Sequence, residues 1–246
     1  MEQDFIFGKN TIIEALKNSN NRINKILISK NINSDLKVKE IIELAKLNKI
    51  SFQFVPKEKL QKYNDFNNQG VIAFVAPIKY KSLDVLFDNQ KEHYKKSIIL
   101  DGIEDAHNIG AIIRTAVCAG FDAVILPQHR GMLINSTVEK TSAGAVNNID
   151  IIKVNSLVDA VTKLKDNNFW VIAADAQGND NYFDVDYKDM NLALIMGAEH
   201  AGVSKTLLKQ ADFIVKIPMY NSFNSLNVSV SSGILIYEIV KQYMQK

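Results

Sequence analysis

Apolar residues recur along this chain in two patterns. Short runs rich in Ile, Val, Leu and Phe read as strands, and stretches with apolar residues three and four apart read as helices. In the first third, residues 22–29, 50–55 and 71–76 are strand-like, and residues 10–18 and 35–48 are helix-like. They predict a small unit of alternating strands and helices that ends near Pro77. Residues 78–96 are more polar, carry one helical pattern at 83–89, and read as a linker. A second alternating series follows. Strands are expected at 98–101, 123–126, 149–154, 170–174, 192–196 and 213–217, and helices at 109–119, 157–167, 204–210 and 227–244. Strands that are apolar throughout, separated by helices, predict an α/β fold with a parallel sheet covered on both faces. The expected division is therefore 1–77, a linker over 78–96, and 97–246.

Composition narrows the class. A chain of 246 residues can hold one large domain or two modest ones. No apolar run reaches the roughly 18–20 residues that span a bilayer. The start, Met1-Glu2-Gln3-Asp4, is acidic where a signal peptide would be basic. A single cysteine, Cys118, excludes a disulfide framework and fits a reducing compartment, so a cytoplasmic protein is expected. Inside the 109–119 helix, Cys118 reads as inert core. The four histidines, 93, 107, 129 and 200, have no metal-ligand spacing, and no metal is expected. His200 stays a candidate because it adjoins Glu199.

Charge adds a division. The net charge of +2 is uninformative as a whole. Residues 1–80 carry +5, residues 81–96 carry +1 and residues 97–246 carry −4. This suggests a basic recognition module on an acidic body. Only three arginines occur, Arg22, Arg114 and Arg130, against 26 lysines. Where lysine serves the solvated surface, an arginine draws notice, because its planar fork of donors has no lysine equivalent.

Three segments in the second half lie where strands end, the place where open α/β sheets bind ligands. The first runs from Leu100 to Arg114. Asn108 is a good helix cap, and Arg114 lies off the apolar stripe of the helix that follows. Arg114 is either an exposed arginine on a capped helix or a functional group. The second is Met196-Gly197-Ala198-Glu199-His200-Ala201-Gly202-Val203-Ser204. Val203-Ser204 stands where a phosphate loop needs Lys-Ser/Thr, so nucleoside triphosphate binding is disfavoured. A tight turn accounts for the glycines but not for Glu199 between them. The third runs from Ile217 through Pro218, Met219, Ser225, Leu226 and Asn227 into a helix that is apolar nearly all round. Such a helix must be buried, in a core or at an interface between subunits. Ser225 is at least a helix cap. No Gly-x-Gly-x-x-Gly and no Gly-x-Ser-x-Gly is present.

Taken together and in this order, the three segments resemble the motifs of the SpoU family of RNA 2′-O-methyltransferases, in the SPOUT superfamily. Asn108-x-Gly110-x-x-x-Arg114 resembles the first motif and Gly197-x-Glu199-x-x-Gly202 the second. Ile217-Pro218-Met219 through Ser225-Leu226-Asn227-Val228-Ser229 resembles the third. Lys140-Thr141-Ser142-Ala143-Gly144-Ala145 also looks like a family segment. Phe7-Gly8-Lys9-Asn10 and Asn68-Gln69-Gly70-Val71 resemble the two ends of the family's N-terminal substrate-binding domain. The arrangement is most similar to bacterial members that methylate a guanosine ribose in 23S ribosomal RNA. Asn221 and His200-Ala201 depart from the usual glycines and affect loop shape.

The resemblance implies a SPOUT-type parallel sheet with a C-terminal trefoil knot, preceded by a small α/β substrate-binding domain. It implies S-adenosylmethionine as methyl donor, held at Gly197, Ile217, Met219 and Leu226. It implies catalytic roles for Asn108, Arg114, Glu199, Ser225 and Asn227, with Arg114 gripping a phosphate or lowering the pKa of the attacking hydroxyl. The proton acceptor is open between Arg114 and a water. It further implies a homodimer, and RNA capture by the basic residues 1–80. A transfer RNA as substrate, or an RNA-binding protein without activity, are the alternatives.

Overall fold

In the computed structural model, which describes residues 4–32, 35–61, 63, 68–87, 93–128, 133–199, 201–220 and 225–244, the chain divides into two units. One comprises Met1–Lys79 together with Ile134–Asn148, and the other Tyr80–Leu133 and Ile149–Lys246.

The first unit contains β1 (Phe5–Phe7), α1 (Lys9–Asn18), β2 (Ile23–Ser29), α2 (Leu36–Leu47), β3 (Ser51–Val55), α3 (Lys57–Gln61) and β4 (Val71–Val75). Its sheet has the order β1-β4-β2-β3 and is mixed. β2 and β3 are parallel, joined through α2, while β4 runs antiparallel to both β1 and β2. The short β1 and α3 were not expected from the pattern, because three and five residues are too few to show a period. Asp35 caps α2 by accepting from the Val38 amide at 3.0 Å. The core lies between the sheet and the helices, where Ile6, Ile26 and Ile28 meet Ile12, Leu16, Val38 and Ile41. The contribution of residues 134–148 is a departure from the expected division. These residues follow β6 (Ala123–Pro127) in sequence, yet α5 (Ser136–Thr141) and the 3-10 turn Ala145–Asn148 pack on β1 and α1.

The second unit contains β5 (Lys96–Asp101), α4 (Ala106–Cys118), β6, β7 (Asp150–Val154), α6 (Leu157–Asp166), β8 (Phe169–Ala174) and β9 (Asp180–Asn181). β10 (Asn191–Gly197), α7 (Lys205–Leu208), β11 (Phe213–Lys216) and α8 (Val228–Met244) complete it. The seven strands form one parallel sheet in the order β7-β6-β5-β10-β8-β11-β9. Ile98, Ile99 and Leu100 are all buried, so both faces of the sheet are covered. Ile99, Ile125, Ile152, Val171 and Ile195 pack with Val161 and Leu164 of α6 and Leu207 of α7. α8 lies against β10, and α4 against α8.

Two expectations about the helices are corrected, and the burial of the last helix is one-sided. Asn108 does not cap α4. Asp105 does, accepting from the His107 amide at 2.8 Å, which leaves the Asn108 side chain free for other partners. Cys118 is exposed and is not core. It follows Arg114 by four residues, one helical turn, and so shares its exposed face rather than the buried stripe of Ile109, Ile112 and Ile113. α8 is buried on one side only. Val228, Ser232, Leu235, Ile236 and Ile239 face inward, whereas Val230 and Tyr237 are each 51% exposed. Among the described residues no helix is long and apolar enough to cross a membrane.

Candidate active site

Parallel strands expose the loops at their C-terminal ends on one edge of the sheet, and the three segments singled out above meet there. β5 ends at Asp101, and its Oδ2 accepts from the Ser204 amide at 2.8 Å, tying the loop after β5 to the loop after β10. α4 then presents Asn108, which is buried at 8% exposure. Its Nδ2 donates to Glu199 Oε1 at 3.0 Å. Asn227, just before α8, donates through Nδ2 to the same Glu199 oxygen at 2.7 Å and to Asn108 Oδ1 at 3.0 Å. Asn227 Oδ1 in turn accepts from the Ser229 amide at 2.9 Å. One residue from each segment thus enters a closed set of hydrogen bonds. Two amide donors converge on a single carboxylate oxygen, which holds the carboxylate in one orientation.

Beside this set is a cleft of about 430 Å³. The loops after β8, β10 and β11 line it, with Met196, Val215, Ile217, Met219, Leu226 and Val228 as apolar walls. Its polar side chains are Asp175, Glu199, Ser225 and Ser231. Its floor needs glycine. A Cβ at Gly197 would fall 2.1 Å from the Gly202 carbonyl carbon, a collision with backbone that no side-chain movement relieves. Gly202 closes the turn, with φ +66° and its amide bonded to the Ala198 carbonyl at 2.8 Å. Gly178 plays a similar part after β8, where a Cβ would fall 2.7 Å from the Ile214 carbonyl oxygen.

The structure therefore brings together Asn108, Glu199, Ser225 and Asn227, with Gly197, Ile217, Met219 and Leu226 around the same cleft. It does not bring Arg114 to them. Arg114 is exposed on α4, is absent from the cleft lining, and makes no hydrogen bond or ion pair with the described residues. His200, Arg130 and Asn221 lie outside the described residues. Asp175 was missed, although a carboxylate directly after the predicted 170–174 strand was a visible signal. Of the lysines in residues 1–80, Lys9 is paired with Asp35 at 2.7 Å and Lys17 with Glu40 at 2.8 Å. Among the described residues no cluster of three or more His, Cys, Asp or Glu is gathered as for a metal ion.

Comparison with known proteins decides the family. Residues 95–237 match the model of the SpoU rRNA Methylase family, and residues 5–81 match that of the RNA 2′-O ribose methyltransferase substrate-binding domain. The chain belongs to the SpoU family. A Staphylococcus saprophyticus protein assigned to the TrmH family of tRNA/rRNA methyltransferases is 38% identical over 244 residues, covering 98% of this chain and 97% of its own. Its Staphylococcus epidermidis counterpart is 39% identical over 247 residues, covering 100% and 98%. These relatives place the chain among the RNA 2′-O-ribose methyltransferases of the TrmH/SpoU family. Among solved structures, the SpoU methyltransferase AviRb from Streptomyces viridochromogenes superposes with a TM-score of 0.82 at 20% identity, over 98% of this chain and 89% of that one. The AdoMet-bound rRNA methyltransferase from Sinorhizobium meliloti superposes at 0.80 with 23% identity, over 99% and 88%. Both likenesses establish the α/β fold of this SpoU chain.

Proposed function

We propose that this chain, as a homodimer, transfers a methyl group from S-adenosylmethionine to the 2′-hydroxyl of a guanosine ribose in 23S ribosomal RNA. The observation that carries the reading is the convergence of three separate segments on one cleft through the Asn108–Glu199–Asn227 hydrogen bonds. The solved AviRb and Sinorhizobium meliloti structures with AdoMet support the choice of donor.

The cleft suits that donor. Its volume lies in the range of pockets for compounds of this size. The walls of Ile217, Met219 and Leu226 offer an apolar surface for a purine, and the glycine floor lets backbone donors and acceptors reach its edges. The carboxylates of Asp175 and Glu199 suit a ligand that carries positive charge and ribose hydroxyls. When bound, S-adenosylmethionine supplies an electrophilic methyl group. The work of the protein is then positioning and proton management. Ser225 and Asn227 orient the target ribose beside Glu199. The Arg114 guanidinium holds the adjoining phosphate and, by its charge, eases loss of the hydroxyl proton. The trefoil knot belongs to this reading, and the backbone contacts at Gly178 and Gly197 suit a tightly threaded chain.

Two observations support the dimer. Val230 and Tyr237 leave an apolar face of α8 open, and Arg114 stands away from the cleft of its own chain on the helix packed against α8. A second copy would cover the first and receive the second. RNA capture falls to the first unit, whose excess of lysine makes binding weaken with salt at a log–log slope of about −0.7 to −0.9 per phosphate contact.

The test is to map ribose methylation in RNA from a strain lacking the gene. One 2′-O-methylguanosine should vanish from 23S RNA and return when the gene is restored. Loss of a mark from transfer RNA would redirect the substrate, and calorimetry without S-adenosylmethionine binding would leave an RNA-binding protein.

A further inference from the structure

Residues 134–148 belong by sequence to the catalytic half but by packing to the first unit. What seats them there is a buried charge pair. Glu139 is only 4% exposed. Its carboxylate accepts from Arg22 Nη2 at 3.0 Å and from Nη1 at 3.4 Å. The same guanidinium donates through Nη1 to Asn147 Oδ1 at 2.9 Å and through Nε to the Ala76 carbonyl at 3.0 Å. One arginine thus fastens α5, the turn after it and the chain leaving β4. The fit around it is close. The Lys140 ammonium lies 4.7 Å from the centre of the Phe7 ring. Gly144, at φ +85°, leaves no room for a Cβ, which would sit 2.6 Å from Glu14 Cβ and 3.2 Å from the Thr11 carbonyl oxygen. The neighbouring residues on either side, Leu133 and Ile149, belong to the second unit. The segment is a strap, rooted between β6 and β7 and seated in the other unit.

A buried ion pair adds little net stability over an apolar pair of the same shape. What it adds is geometry, since a guanidinium fork meeting three separate acceptor groups admits one arrangement. Burial pushes the Glu139 carboxyl above its usual range and Arg22 pulls against it, so the pair is costly to keep. A pair that fixes three acceptor groups at the seat of a strap suits a role in positioning.

We propose that Arg22 is a positioning residue for RNA methylation: through Glu139 and Asn147 it keeps the 134–148 strap seated, so that the substrate-binding unit is tethered to the catalytic chain at the strap as well as where the chain passes from Lys79 to Tyr80. This rests on the reading of the chain as an RNA methyltransferase. Two modules that grip one RNA gain affinity from a short, defined tether and lose it when the tether lengthens. The run Lys140–Ala145 then has its use in the seat of the strap rather than in the cleft.

The test compares full-length wild type with R22M/E139Q, in which no charge is left buried alone, and with R22K, which keeps the charge but not the fork. The RNA is a 23S transcript methylated by the wild type. In R22M/E139Q the KM for RNA should rise about tenfold, as expected for a loosened tether, with kcat little changed and S-adenosylmethionine affinity unaltered by calorimetry. Amide exchange should quicken in 134–148 and stay slow elsewhere in the first unit. R22K should fall between the two. An unchanged KM, whether or not exchange in the strap quickens, overturns the proposal. So does loss of S-adenosylmethionine binding, or faster exchange throughout the chain, in both variants, because Arg22 would then serve folding alone. A wild type that methylates no RNA fails the methyltransferase reading itself, a result distinct from an active enzyme indifferent to Arg22.

Discussion

The two units meet the same demand, holding loops in register, by different means. In the second unit seven parallel strands carry their loops to one edge, and the site is assembled there from Asn108, Glu199 and Asn227. In the first unit a four-stranded mixed sheet is completed by a helix that comes from the middle of the other half, seated by Arg22 and Glu139. The difference teaches where tolerance to substitution should lie. The cleft of the second unit rests on a glycine pressed against backbone, whereas the strap is held chiefly by a buried charge pair.

The largest expected effect breaks the backbone contact. Gly197→Ala sets a Cβ 2.1 Å from the Gly202 backbone, so the second unit should lose about 3 kcal/mol and S-adenosylmethionine binding should be abolished. Calorimetry and thermal unfolding would check this, and near-normal binding would end the contrast drawn above. The counterpart in the first unit, Gly144→Ala, sets a Cβ 2.6 Å from Glu14 Cβ at a left-handed φ. It should cost about 1–2 kcal/mol, seen as faster amide exchange in 134–148 with the cleft unaffected.

Next comes Arg114→Lys. Turnover should fall about a hundredfold while fold and S-adenosylmethionine binding persist, because lysine keeps the charge but loses the fork. Single-turnover methylation would measure it, and normal turnover would remove Arg114 from the mechanism. Asn227→Ala is expected to be milder. It removes one of the two donors to Glu199 and the acceptor for the Ser229 amide, and activity should drop about tenfold.

The smallest effect is on pH dependence, where the two units should differ in sign. Asp122, at the start of the catalytic sheet, is pushed up by burial. The Lys96 amide, His93 and Lys95 outweigh this and hold it below its usual range. Its contribution to stability is therefore present at neutral pH and lost as pH falls through the lowered value. Glu139 is raised. Its contribution is complete below the usual carboxylate range and declines as pH rises through the raised value. Asp122→Asn should flatten the acid side of the stability curve, and Glu139→Gln should flatten the decline above it. Identical curves for the two variants would show that the units do not differ in this way.

Much of this was legible in order along the chain. The six longer strands of the catalytic sheet announced themselves because each carries a short apolar run, as strands of a covered parallel sheet do. The caps were harder. Asn108 and Asp105 are both good cap residues three positions apart, and only the partners waiting for Asn108 decide between them. Cys118 was misplaced because Val117 and Ala119 beside it are apolar, while the period of the helix puts Cys118 on the Arg114 face. The strap was not legible at all. Nothing local to Glu139 or Arg22 shows that residues 117 positions apart share one buried pair.

By itself the sequence determined the alternation of strands and helices, the parallel sheet, the three motif segments and the uneven charge, since each depends on neighbours in the chain or on residue type. Only the tertiary structure decided which of those residues meet. The Asn108–Glu199–Asn227 bonds, the glycine contact at 197, the open face of α8 and the seating of the strap all join residues distant in sequence. Local propensity carries no information about such pairs, because the free energy that selects them comes from burial and hydrogen bonding available only after the chain has folded.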